Sequence, residues 1–248
     1  MKQLFILMRK DLLELYRTKK ILVIAAVFII FALGSPILAY IMPDLFTNIG
    51  DTVIELPDAT IYDSYDVLIQ NISQVGVLAI IIAFGGLIAK EKKRGLFNTL
   101  LNNGMKKTNF ITSKLKTQAA VVTIIYLISI ILFSAYNYVL FDSFFTTNSA
   151  LSFLALFVYL MFVIVLANFF SSLFKSSLAS IFSAFGTVLL IAIFELFSFG
   201  KYMPNHLLSL SIGILREPFD YYWLTIATTF GIIIILYFLS IKLCKNKD

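Results

Sequence analysis

The sequence predicts an all-α membrane protein. It would have six transmembrane helices, an N-terminal amphipathic interfacial helix, and a cytoplasmic helix between spans 2 and 3. Three observations carry this reading. The chain is 60% hydrophobic and 14% charged, with a mean hydropathy of +0.92. A soluble domain needs more polar material than that to face water. The apolar residues gather in six runs of spanning length. Finally, every Lys and Arg except Lys201 and Arg216 falls in a segment that is cytoplasmic if both termini lie inside, as the positive-inside rule requires.

Residues 1–20 form the interfacial helix. Leu4, Phe5, Met8, Leu12 and Leu15 recur at helical spacing, while Arg9, Lys10 and Arg17 lie elsewhere. No cleaved signal peptide is expected, because no small-residue cleavage site closes the next run. Residues 21–248 form one six-span domain with spans at about 21–42, 67–89, 117–141, 151–174, 178–199 and 223–241. The first suffices, at ~1.5 Å per residue, to cross a core of ~30 Å. Gly34-Ser35-Pro36 is expected to bend it, since proline removes a backbone donor.

The connection 43–66 carries Asp44, Asp51, Glu55, Asp58, Asp63 and Asp66 and no base, and reads as an external loop. Segment 90–116 has the opposite character. It holds Lys90, Lys92, Lys93, Arg94, Lys106, Lys107, Lys114 and Lys116 against one acid, Glu91. Within it, Phe97, Leu100 and Leu101 give an apolar stripe on a helix from about 90 to 103, stopped by Gly104. That stripe needs lipid or a protein groove to cover it. Residues 200–222 are external and only partly apolar, a helical cap or shallow re-entrant piece.

Catalytic patterns are missing. The one histidine, His206, is external, and no phosphate-binding G-x-x-x-x-G-K-[ST] run exists. The single cysteine, Cys244, provides neither a disulfide nor a metal cluster. The net charge of +6 is parcelled out between spans, so it reports topology rather than nucleic-acid binding. Polar residues at outer-leaflet depth are Gln70, Asn71, Gln74, Tyr136, Asn137 and Glu195. Glu195 is the one acid inside a span, and an intramembrane carboxylate is by default a functional hypothesis. These six are the candidate lining of a substrate path.

The segment holding Glu91, Arg94, Gly95, Leu100, Leu101, Lys107 and Lys114 resembles the cytoplasmic loop of ABC-2 type transporter permeases. There, an acid and bases precede a glycine, paired leucines, a turn, a basic residue and a lysine that opens the next span. The chain departs from that pattern at Lys93, Leu96 and Gly104, where the family often has an acid, Thr and Pro. The resemblance implies a permease subunit of an ABC exporter and no enzyme activity on this chain. It implies two copies of a separate ATPase subunit, which would hold the ATP and magnesium, and no cofactor here. A second permease copy or paralogue would complete a homo- or heterodimer. Glu91, Arg94, Gly95, Phe97, Leu100 and Leu101 would form the ATPase-coupling segment, with Arg9, Lys10 and Arg17 on the interfacial helix. The sparse polarity of the spans suits an amphipathic cargo: a peptide, a drug or a lipid-like molecule. Six spans, no organelle signal and no outer-membrane strand pattern lead to the expectation of a prokaryotic cytoplasmic membrane. The rival from another class is an immunity or sensing protein that holds a peptide without moving it. An ion-driven transporter would want buried charges or paired broken helices, and Pro36 has no counterpart.

Overall fold

A backbone without water to bond must bond itself, and here the apolar runs do so as helices. The computed structural model describes residues 2–47, 58–142, 147–197, 200–216 and 222–244, among which there is no strand. Helix α1 (Lys2–Arg17) leads into α2 (Lys20–Thr47). Then come α3 (Ile61–Asn71), a π-helical turn (Ile72–Gly76), α4 (Val77–Phe84), α5 (Leu87–Lys93) and α6 (Leu96–Asn102). Helices α7 (Lys107–Phe141), α8 (Thr147–Leu173) and α9 (Ser177–Phe194) follow. A 3₁₀ turn (Gly200–Tyr202), α10 (His206–Gly213) and α11 (Tyr222–Leu243) complete the described chain.

Among the described residues, six helices are long and apolar enough to cross a membrane: Lys20–Pro43, Ile61–Lys93, Lys107–Phe141, Asn148–Leu173, Ser177–Phe194 and Tyr222–Leu243. The chain is a multi-pass membrane protein. The second and fourth spans are the centre of the bundle, with 67% and 72% of their most apolar stretch buried, against 33% or less for the others. Helix α8 packs on α11, α10 and α9, while α2 packs on α7 and α3. The outer spans present large apolar side chains such as Leu178, Phe182, Ile131 and Phe238, as a lipid-facing surface does.

Several boundaries move from the sequence expectation. Span 2 begins at Ile61 rather than 67, because Thr60 and Asp63 close a capping box. The Asp63 carboxylate accepts from the Thr60 N–H at 2.9 Å and from its hydroxyl at 2.7 Å, and so satisfies groups a bare helix start would leave open. Residues 48–57 of the expected external loop lie outside the described residues. Span 3 begins at Lys107 rather than 117. Span 5 ends at Phe194 rather than 199, so Glu195 follows the helix instead of lying within it. Helix α2 runs on through both Pro36 and Pro43. The expected single helix 90–103 is two, broken at Gly95, whose φ of +72° is a left-handed conformation that costs other residues strain. Gly104 (φ +80°) then closes α6 as expected, with the Gly104 N–H donating to Leu101 and the Met105 N–H to Leu100.

Span 2 is also interrupted at Gly85-Gly86. The new helix start at α5 is satisfied from α8, where Ser171 Oγ accepts from the N–H groups of Ile88 (3.0 Å) and Ala89 (3.1 Å). Gly86 itself lies against the start of α9: a β-carbon there would stand 2.7 Å from Ser177 Cβ. The break therefore turns the basic end of span 2 into a short helix clamped between α8 and α9.

Candidate functional site

Three elements meet at the basic end of the bundle around one lysine. Lys114, in the second turn of α7, is 2% exposed. Its Nζ lies 3.1 Å from Asp11 Oδ1 on α1 and 3.0 Å from Glu91 Oε2 on α5. Lys10 Nζ donates to the other Glu91 oxygen, and Ser113 Oγ donates to Asp11 Oδ2 at 3.0 Å. Two ammonium groups thus face two carboxylates, with no net charge stranded in the interior. Buried ions persist only when paired and hydrogen-bonded in this way.

The local sequence explains each placement. On α1, Leu7, Asp11 and Leu15 are buried at successive four-residue steps, so the face against α7 carries an acid at its centre. The predicted stripe is accordingly divided: Leu15 turns inward, whereas Phe5 and Leu12 face outward. On α5, the break at Gly85-Gly86 orients Glu91 toward α7 instead of solvent, and leaves Lys90 and Lys93 exposed. Deeper along α7, the side-chain amides of Gln118 and Asn168 of α8 exchange hydrogen bonds, each N–H donating to the other's carbonyl oxygen. A small cleft beside the cluster is lined by Asp11, Glu14, Lys114, Thr117 and Gln118. Asp11, Glu14 and Glu91 each bring a carboxylate oxygen within 4.8 Å of the others, the spacing of a cation site. The Lys114 ammonium contacts two of the three and serves as that cation.

The α5–α6 hairpin hangs from this cluster. Phe97 is buried, 5.0 Å ring to ring from Phe110 of α7, with Lys92 Nζ 5.9 Å from its centroid. Lys92 also donates to the Ser172 carbonyl of α8. Leu100 and Leu101 are half-buried against the same core. Of the apolar stripe expected to seek lipid or a foreign groove, Phe97 is covered by Phe110 of the chain's own α7, and Leu100 and Leu101 are covered in part by the core. The face left open is polar: Arg94, Asn98, Thr99, Asn102 and Asn103 are exposed.

The remaining predicted site residues do not converge on one cavity. Asn137 is buried and accepts from Ser64 Oγ at 2.7 Å, and Asn71 donates to Ser35 Oγ at 3.4 Å. Tyr136 is half-buried. Gln70 and Gln74 are exposed on span 2, on either side of the start of the π-helical turn. Arg9 and Arg17 are exposed on α1, whereas Lys10 belongs to the cluster. Asp11 is the principal residue that the sequence left without a role, and Lys114, singled out there only as the lysine opening span 3, is the centre of the cluster. The signal for Asp11 was present, as an acid inside an apolar i, i+4, i+8 row.

Glu195 is a fastener at the opposite end. It accepts from Ser209 Oγ at 2.7 Å and from Asn205 Nδ2, and His206 Nδ1 lies 3.3 Å away. Burial alone would raise its carboxyl pKa. The bonds from His206, Ser209 and Asn205, with the charge of His206, outweigh burial and hold it below the usual value. A depressed pKa gives stability that is present above the unfolded value of ~4.3 and lost as pH falls through the folded one. Wild type should therefore melt above Glu195→Gln at neutral pH, and the gap should close as the medium is acidified. Equal melting temperatures at neutral pH would remove the fastening role.

No family model matches the chain. A search of curated proteins finds similarity to a relative in Bacillus subtilis (strain 168), the uncharacterized transmembrane protein YxlG. The identity is 24% over 129 residues, covering 49% of this chain and 48% of that protein. The chain thus spans about half the length of the curated relative it matches.

Proposed function

We propose that this chain is the membrane permease subunit of an ATP-driven exporter of the ABC-2 type, energised by a separate ATPase. The observation that supports the reading is the Lys114 cluster. One buried lysine joins α1, the α5–α6 hairpin and the foot of span 3, so a force on the open face of the hairpin is passed to two spans and to α1 together. A partner that closes on nucleotide would use such a joint, and a protein that only holds a ligand has no use for it. In this reading the basic end is cytoplasmic, both termini lie inside, and the membrane is the cytoplasmic membrane of a prokaryote. ATP and magnesium stay on the ATPase, of which two copies serve two permease chains. Gln70 and Gln74, open on span 2, would face the second permease and an amphipathic cargo.

The test is co-purification in detergent of the tagged chain with a co-expressed ABC-type ATPase from the same genome. Wild type is compared with Asn98→Arg/Asn102→Arg, which alters the open face without touching the buried one. Wild type should bring the ATPase down and the variant should not. If neither does, the exporter reading falls and the peptide-holding immunity or sensing protein takes its place.

A further inference from the structure

Helix α1 is apolar on two faces, and each has one charge at its centre. The inner face has Asp11, answered by Lys114. The outer face has Phe5, Ile6, Leu12, Leu13 and Tyr16, between 46% and 73% exposed. Arg9 stands in their midst, four residues from Phe5 and Leu13 and three from Ile6 and Leu12. Arg9 is exposed and makes no hydrogen bond or ion pair with any described residue.

We infer that this outer face is a phospholipid site, in which the Arg9 guanidinium grips the phosphate of an anionic lipid while the surrounding side chains enter the acyl region. Three features favour lipid over a protein partner. Only Thr18 and Lys19 separate α1 from the first span, which holds the outer face at the leaflet that span enters. An arginine ringed by large apolar groups is matched by the one environment that offers hydrocarbon and phosphate within a few ångströms. Its planar fork also suits two phosphate oxygens at once. Arg17 and Lys19 are exposed nearby, and the acids of the helix, Asp11 and Glu14, lie on its other side along the cleft. The surface is therefore complementary to net negative lipid rather than to a zwitterionic headgroup. Because Asp11 is on the same helix, the lipid seats the element that meets Lys114 and Glu91. This inference is independent of the exporter reading and holds whether or not an ATPase binds.

The full chain, purified in detergent, is tested by native mass spectrometry with added phosphatidylglycerol or phosphatidylcholine. Wild type should retain phosphatidylglycerol several-fold better than phosphatidylcholine. Arg9→Gln should lose most of that preference, Arg9→Lys should keep part of it, and Lys175→Gln, in an exposed turn, should keep all of it. Equal retention of the two lipids by wild type, or undiminished retention by Arg9→Gln, would overturn the site. A photo-crosslinking side chain in place of Tyr16 provides the second measurement, in native membranes. Lipid adducts are expected; a crosslink to a second copy or to another protein would overturn the assignment.

Discussion

Replacing Lys114 with alanine is expected to cost the fold about 3–5 kcal/mol, the usual penalty for leaving buried charges without their partner. Asp11 and Glu91 would remain in the interior, and the half-exposed Lys10, on the other Glu91 oxygen and 3.7 Å from Asp11 Oδ1, would be left to answer two acids. Lys114→Met, which keeps most of the side-chain volume, should lose nearly as much, because the loss is electrostatic and not a cavity. The triple variant Lys114→Met/Asp11→Asn/Glu91→Gln should recover much of it, as neutral replacement of a whole buried ion group commonly does. Thermal unfolding in detergent checks all three. A single Lys114→Met variant within about 1 kcal/mol of wild type, far below the penalty for a stranded buried ion, would show that the cluster does not hold these elements together.

The second large effect is expected at Gly86. A β-carbon would stand 2.7 Å from Ser177 Cβ, far inside ordinary contact, and that Cβ is fixed to the backbone of α9, whose Ser177 Cα lies 3.3 Å away. Gly86→Ala should therefore force α5 and α9 apart at a cost of about 1–3 kcal/mol, and Gly86→Val should cost more. Removing the obstacle discriminates a local clash from a general intolerance. Gly86→Ala/Ser177→Gly should melt closer to wild type than Gly86→Ala alone. If the double variant is no better, the close approach is not what makes this glycine necessary. Because α5 carries Glu91, the same substitution should also disturb the ionic cluster.

How far the molecule could be read from its residues follows from which signals are local. Six apolar runs and the partition of Lys and Arg are one-dimensional, and they yielded the spans and their number. The boundaries were less legible because caps decide them: Thr60 with Asp63 starts span 2 early, and Gly95 divides a helix whose composition reads as continuous. The candidate site was half legible. Glu91, Arg94 and Gly95 stand out in a basic segment, but nothing near Glu91 in the sequence indicates that its partner is Lys114. Phe97 looked like a residue in search of a groove because the groove, around Phe110, belongs to the next helix. Glu195 looked like an intramembrane acid because Asn205, His206 and Ser209 fold back onto it only once α10 has formed.

If the open face of the α5–α6 hairpin docks a separate ATPase, as proposed, crosslinking from that face will capture it. Cysteine would be placed at Asn98 in a Cys244→Ser background, the chain co-expressed with the ATPase, and a short bifunctional reagent added to membranes. A crosslinked permease–ATPase band is expected from Asn98, and none from a cysteine placed at Trp223, near the opposite end of the bundle. If the ATPase co-purifies yet never crosslinks from the hairpin, the proposed docking face is wrong. If no ATPase is captured by either route, the transporter reading itself is contradicted.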